Sequence, residues 1–203
     1  MNLHISRRSI LDTVLRDDNG QPRYRIETST RNPLKDQETT ISRFVPGTSG
    51  PTSGPEAQSQ ATRSTDAEDE TDILMRGLRE EEVARIEWHQ VKSTVFKWYG
   101  QDPVDVGTYM PYTGILMRKR AFTATDGQSY AWKYGSTRSS LSRNDSSNTR
   151  IAQYHRRSYG IIGKAHKAYL EICPEGLNIA DEIVVTFVYV ERRRNQREEA
   201  ARG

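Results

Sequence analysis

Apolar and polar residues alternate with a period of two through most of this chain, the pattern of half-buried β-strands. Two alternating runs flank Asn19-Gly20. A two-residue type I′ loop there sets Leu15 opposite Tyr24, Thr13 opposite Ile26 and Leu11 opposite Thr28, so the apolar and β-branched residues share one side. A further strand runs through 39–44. Beyond it, Ala84, Ile86 and Trp88 alternate with Arg85, Glu87 and His89, and Thr94, Phe96 and Trp98 share a face. A second hairpin turns near Asp126-Gly127. A two-residue loop there would place Phe122 on the face opposite Tyr130 and Trp132. A three-residue loop, Thr125-Asp126-Gly127 with glycine in the left-handed conformation, pairs Phe122 with Tyr130 and gathers Ala124, Tyr130, Trp132 and Tyr134 on one side. Strands over 150–156 and 168–172 follow. Eight or more short strands with regular turns predict a barrel or a sandwich.

The run 178–199 reads both ways. Asn178-Ile179-Ala180-Asp181 has the form of an N-cap with an acid at the third helical position. Ile183, Val184, Val185, Phe187, Val188, Tyr189 and Val190 are apolar on every side, and their β-branching favours a strand. The cap and the charged continuation Glu191-Arg192-Arg193-Arg194-Asn195-Gln196-Arg197 favour a helix. A helix apolar all round must be buried, and threading it through a barrel is one way to bury it.

Composition changes this picture at one place. Hydrophobic residues make up 34% of the 203, against ~45–50% in a typical globular chain by a count that includes glycine; adding the 14 glycines still leaves the total low, and the deficit is concentrated in 46–72. That stretch holds no aromatic residue and no Val, Ile, Leu or Met, and it carries six acids and one arginine. It cannot bury enough apolar surface to offset its ordering entropy, which predicts a disordered insertion between two strands. Its serines and threonines beside acids offer phosphorylation sites. Taking its −5 from the net charge of +3 leaves +8 on the remainder. The expected layout is an N-terminal arm over 1–8, one β-barrel domain over 9–200 interrupted by the insertion, and a tail over 201–203. The apolar run 183–190 is far short of the ~20 residues that span a bilayer. The single Cys173 gives no internal disulfide, and the N-terminus lacks a secretory apolar stretch. A cytoplasmic protein is expected, with peripheral membrane or nuclear residence left open.

The stretches Arg85-Ile86-Glu87-Trp88-His89, Arg120-Ala121-Phe122-Thr123-Ala124-Thr125-Asp126-Gly127 with its continuation to Lys133, Ile151-Ala152-Gln153-Tyr154-His155-Arg156, and Asp181-Glu182-Ile183-Val184-Val185-Thr186-Phe187-Val188-Tyr189-Val190-Glu191 resemble, in that order, a fungal family known as domain of unknown function family 6593. That family is similar to the Tubby C-terminal-like fold of tubby proteins, plant LURP-one-related proteins and phospholipid scramblases. The resemblance implies a mainly β fold, a closed antiparallel β-barrel around a central hydrophobic C-terminal helix, and takes 178–199 as that helix. It carries over no catalytic, cofactor or ligand residue.

Chemistry is sparse. His4, His89, His155 and His166 show no zinc-like spacing. Cys173, before Pro174, reads as a small buried residue. No G-x-S-x-G elbow exists, and Gly160-Ile161-Ile162-Gly163-Lys164 fits neither a P-loop nor a KH loop. No enzyme, cofactor or metal is expected, and without an RNP-type motif no specific nucleic-acid binding. The basic residues form clusters: Arg118-Lys119-Arg120, Arg156-Arg157, Lys164 with Lys167, and Arg192-Arg193-Arg194. Where clusters meet they make a seat for an anionic headgroup or phosphate. Otherwise they are a solvated surface, with the last cluster capping a helix C-terminus. The candidate anion- or lipid-binding residues are therefore Arg118, Lys119, Arg120, Arg156, Arg157, Lys164 and Lys167. The expected function is a non-enzymatic binding module for anionic membrane lipid or a protein partner. The alternatives are a small-ligand or enzyme pocket at a barrel end, and an adaptor acting through the acidic insertion.

Overall fold

The computed structural model describes residues 1–7, 9–29, 37–47, 77–89, 92–114, 119–135, 138–158 and 165–203. The insertion expected over 46–72 lies outside these residues from 48 onward. Among the described residues, thirteen strands form one sheet in the order β7-β6-β5-β4-β3-β2-β1-β13-β12-β11-β10-β9-β8. In chain order they are β1 (Asn2–Ile5), β2 (Thr13–Arg16), β3 (Pro22–Thr28), β4 (Gln37–Pro46), β5 (Leu78–Trp88), β6 (Val95–Trp98), β7 (Val104–Asp105), β8 (Tyr112–Thr113), β9 (Lys119–Thr123), β10 (Ser129–Tyr134), β11 (Ser139–Arg143), β12 (Arg150–His155) and β13 (Tyr169–Ile172). A one-turn helix α1 (Val106–Tyr109) joins β7 to β8. A 3-10 turn (Pro174–Ile179) leads into the C-terminal helix α2 (Ala180–Ala200). The sheet is thus two antiparallel meanders, β1 to β7 and β8 to β13, zipped together where β1 pairs with β13.

This sheet is not the closed barrel that was expected. Its edge strands β7 and β8 are consecutive in the chain but do not pair. The reason is local. Asp105 ends β7 after two residues and its side chain accepts the Thr108 N–H at 3.2 Å, starting a helical turn instead of a ladder. Pro111, next to β8, has no N–H to give. Side chains cross the gap: Tyr109 packs on Phe96 of β6 (5.6 Å between ring centroids) and on Phe122 of β9 (5.8 Å).

The ambiguous C-terminal run is a helix, and it is enclosed. Every residue from Ile183 to Val190 is at most 1% exposed. β-branched and aromatic residues cost up to ~0.7 kcal/mol each in a helix, whereas burying one such side chain gains about 1.5–3 kcal/mol, so packing overrides propensity. Tyr189 stacks on Trp88 of β5 (5.8 Å) and meets Phe96 edge-on (5.7 Å). On another side Phe187 packs between Trp132 of β10 and Tyr154 of β12. The predicted N-cap is displaced: Asn178 lies in the 3-10 turn and reaches Asp126, and the helix starts at Ala180 without a side-chain cap.

The second hairpin has the predicted register, with Tyr130 opposite Phe122 and Gly127 at φ +75°. In the first, the predicted pairs Leu15 with Tyr24 and Thr13 with Ile26 form, but the turn differs. Asp17 N–H bonds to the Gln21 carbonyl, only Gly20 has positive φ, and Arg16 faces Pro22. The loop is therefore three residues long, and a bulge at Arg23 restores the register. The residues set apart as an N-terminal arm contain β1, which pairs on both sides and buries Leu3 completely. Cys173 is only partly buried, contrary to expectation.

Candidate functional site

Antiparallel pairing places the end of β1, the end of β12 and the start of β13 on one rim of the sheet. Residues remote in sequence meet there. Ile5, Arg7, Tyr154, Arg156, Arg157 and Lys167 line a cleft of about 560 Å³. The bond from Ile5 N–H to the Ala168 carbonyl (2.9 Å) ties two of these segments together. Helix α2 supplies the inner wall through Glu191, Arg194 and Asn195, and Ile10 adds apolar floor.

Beneath the rim lies a chain of charges. Glu191 is 2% exposed and Arg194 5%. Arg194 grips Glu191 through Nε (3.0 Å) and Nη2 (2.6 Å) to Oε2, and Ser139 Oγ donates to Oε1 at 2.6 Å. Arg194 Nη1 also donates to Glu198, which receives Arg156 from the other side at 2.7 Å. Burial works against the Arg194 charge, yet Glu191 holds its pKa above the ordinary arginine value. Burial likewise opposes ionisation of Glu198, and Arg156 and Arg194 outweigh it, holding its pKa low. The five cations of the cleft share its lining with Glu191, which Arg194 engages, while Glu198 and Asp12 engage Arg156 and Arg7. Ser139 against Glu191 is a hydroxyl on a carboxylate, but at 0% and 2% exposure no substrate reaches it. Among the described residues, no group of three or more His, Cys, Asp or Glu could hold a metal ion.

Of the predicted residues, Arg156, Arg157 and Lys167 converge here. Lys119 lies elsewhere, opposite Lys133 on β10 and beside Arg143 in a smaller hollow of about 220 Å³. Arg120 does not join this cleft: at 7% exposure it lies on the inward face of β9, opposite Trp132. Arg118 and Lys164 lie outside the described residues. The cluster at 192–194 splits by face. Arg194 walls the cleft, while Arg192 lies 4.0 Å over the Trp88 ring, where burial lowers its pKa to about 10. Sequence reasoning missed Arg7, although the alternation Asn2-Leu3-His4-Ile5 marks the strand that delivers it.

A second concavity, about 810 Å³, opens at the other end of α2 near Tyr24, Arg43, Asp181 and Glu182. The helix rises ~1.5 Å per residue, so Glu182 and Arg194 stand about 18 Å apart along it. Glu182 is 6% exposed and accepts the Thr125 N–H at 2.6 Å. Burial nevertheless raises its pKa. A raised folded value means that stability is full below the unfolded value of about 4.3 and falls as pH rises through the folded value. Glu182→Gln is therefore expected to melt higher than wild type at pH 7, with the gap closing below about pH 4. Melting curves at both pH values check this, and an equal gap at both is the contrary result.

Among the described residues, no helix is long and apolar enough to cross a membrane. A family model with the description "Family of unknown function (DUF6593)" matches residues 8–196. No curated protein and no solved structure matches the chain.

Proposed function

The chain belongs to the family of unknown function DUF6593, and from the rim cleft we propose that it is a non-enzymatic binding module for anionic groups. The observation that carries this reading is the convergence of Arg156, Arg157 and Lys167 with Arg7 and Arg194 around one concave, partly apolar hollow. A headgroup phosphate at a membrane surface suits such a site. Arg7, Arg156, Arg157 and Lys167 sit at an exposed rim with Arg194 beneath them, the hollow of about 560 Å³ has room for a headgroup, and Ile5, Ile10 and Tyr154 give apolar floor. The protein then acts at the cytoplasmic face of a membrane as a peripheral binder. An antiparallel sheet wrapped around a buried C-terminal helix also supports kinship with the Tubby C-terminal-like fold.

The test is flotation with phosphatidylcholine vesicles, with and without phosphatidylserine. Each basic side chain near an anionic surface contributes about 1 kcal/mol, so the double variant Arg157→Gln/Lys167→Gln is expected to lose roughly thirtyfold in affinity for the anionic vesicles. Lys119→Gln/Lys133→Gln, on the other hollow, leaves binding unchanged. Wild-type binding weakens as salt rises. Binding that ignores both salt and the Arg157/Lys167 change removes the reading, and capture of an acidic protein without vesicle binding transfers it to a protein partner.

A further inference from the structure

Arg120 raises a separate question, because it is a buried cation without a carboxylate. Its guanidinium lies 3.8 Å over the Tyr112 ring and 5.2 Å from that of Tyr189. Nη1 donates to the Met110 carbonyl at 2.6 Å, and the buried Nε has no partner. Two more arginines approach the same tyrosines from α2. Arg197 Nη2 donates to the Tyr112 hydroxyl at 2.6 Å, and its guanidinium stands 5.1 Å from the Tyr134 ring. Arg193 stands 5.7 Å over Tyr189. Among the described residues, none of these three arginines forms an ion pair; burial works against the Arg120 charge, and Tyr112, Tyr189 and Tyr134 favour it. The hydroxyl of Tyr134 is also buried without a partner. A buried charge normally sits against an opposite charge or a full set of acceptors. Here the two unpartnered atoms can both donate, and in place of an anion the cations have rings and the neutral oxygens of Met110, Tyr112 and Gln196.

We propose that Arg120, Arg197 and Tyr134 form a seat for a phosphate-type dianion, separate from the rim cleft. A guanidinium fork matches the oxygens of a phosphate, and two to three uncompensated cations call for a dianion rather than a single carboxylate. Burial raises the pKa of the Tyr134 phenol, which keeps it a donor. Burial acts in the same sense on Tyr112, but Arg120 and Arg197 pull its pKa below the ordinary phenol value, a sign of positive potential at this spot. The seat uses none of the residues tested at the rim, so the two proposals fail separately.

The experiment is calorimetric titration of the full chain with inorganic phosphate at low ionic strength, with a chloride control. Wild type binds saturably. Arg197→Gln, an exposed change at the mouth, weakens binding about tenfold or more by removing a charge-assisted bond. Tyr134→Phe keeps the ring and loses only the orphan hydroxyl. It is expected to weaken phosphate binding about fivefold while melting no lower than wild type in phosphate-free buffer, a reversal that a merely structural hydroxyl does not produce. Arg157→Gln/Lys167→Gln leaves the titration unchanged. Vesicles of phosphatidic acid form the second arm: if Arg197→Gln also lowers binding to them, the phosphate is a lipid headgroup, and if it does not, a soluble phosphate ester. Absence of saturable phosphate binding overturns the seat, as do equal affinities for wild type, Arg197→Gln and Tyr134→Phe.

Discussion

Replacing Arg194 by alanine is expected to destabilise the protein by about 3–5 kcal/mol, the penalty for stranding a buried charge. Glu191, 2% exposed, would keep only the Ser139 hydroxyl. The guanidinium lost is the one that binds it through Nε and Nη2 and links it to Glu198. At roughly 2–4 °C per kcal/mol for a chain of this size, the melting temperature falls by about 10 °C. The same physics sets the control. Replacing both members by apolar residues of similar volume, Glu191→Leu/Arg194→Met, recovers most of the loss, because a buried pair gains little over a packed hydrophobic pair. Denaturant unfolding of the two single variants and the double variant measures the coupling. A loss under about 1 kcal/mol for Arg194→Ala would mean that water reaches Glu191.

Legibility in the sequence followed locality. The Thr125-Asp126-Gly127 turn was readable to the residue, because the aromatic faces on both arms allow one register only. The first hairpin was read with correct pairs and a wrong turn: a longer loop and a compensating bulge leave Leu15 opposite Tyr24 either way. What stayed hidden depends on distant partners. β11, with Leu141 as its only apolar residue, is a strand because β10 and β12 flank it. The failure to close depends on one turn of helix between two-residue strands, too short for any periodicity to register.

The site shows the same division. Arg156, Arg157 and Lys167 flank strands that pair, so their meeting follows once β12 and β13 are paired. Arg120 parts from Lys119 because neighbours in a strand point to opposite faces. Arg120 stands two residues from Phe122 and opposite Trp132, which puts it on the inward face of β9. A buried arginine at that register is the signal that leads to the tyrosine-lined seat.

Trp132→Ala is the sharpest probe of the helix inside the sheet, with an expected loss of about 3–5 kcal/mol. Trp132 is wholly buried, packs on Phe187 and donates its indole N–H to Thr186 Oγ1 at 2.9 Å, while that hydroxyl donates to the Glu182 carbonyl at 2.6 Å. The residue thus fills the space between β10 and α2 and satisfies a polar atom in the middle of the helix. Two further variants separate these roles. Thr186→Val keeps the volume and leaves the indole N–H without an acceptor, at about 1–3 kcal/mol. Combined with Trp132→Phe, it is expected to cost less than the sum of the singles, since each change removes the same bond. Circular dichroism during denaturant unfolding supplies the readout. If Trp132→Ala loses no more than an exposed aromatic would, α2 is not wedged against β10, and the cleft whose inner wall it forms has no fixed shape.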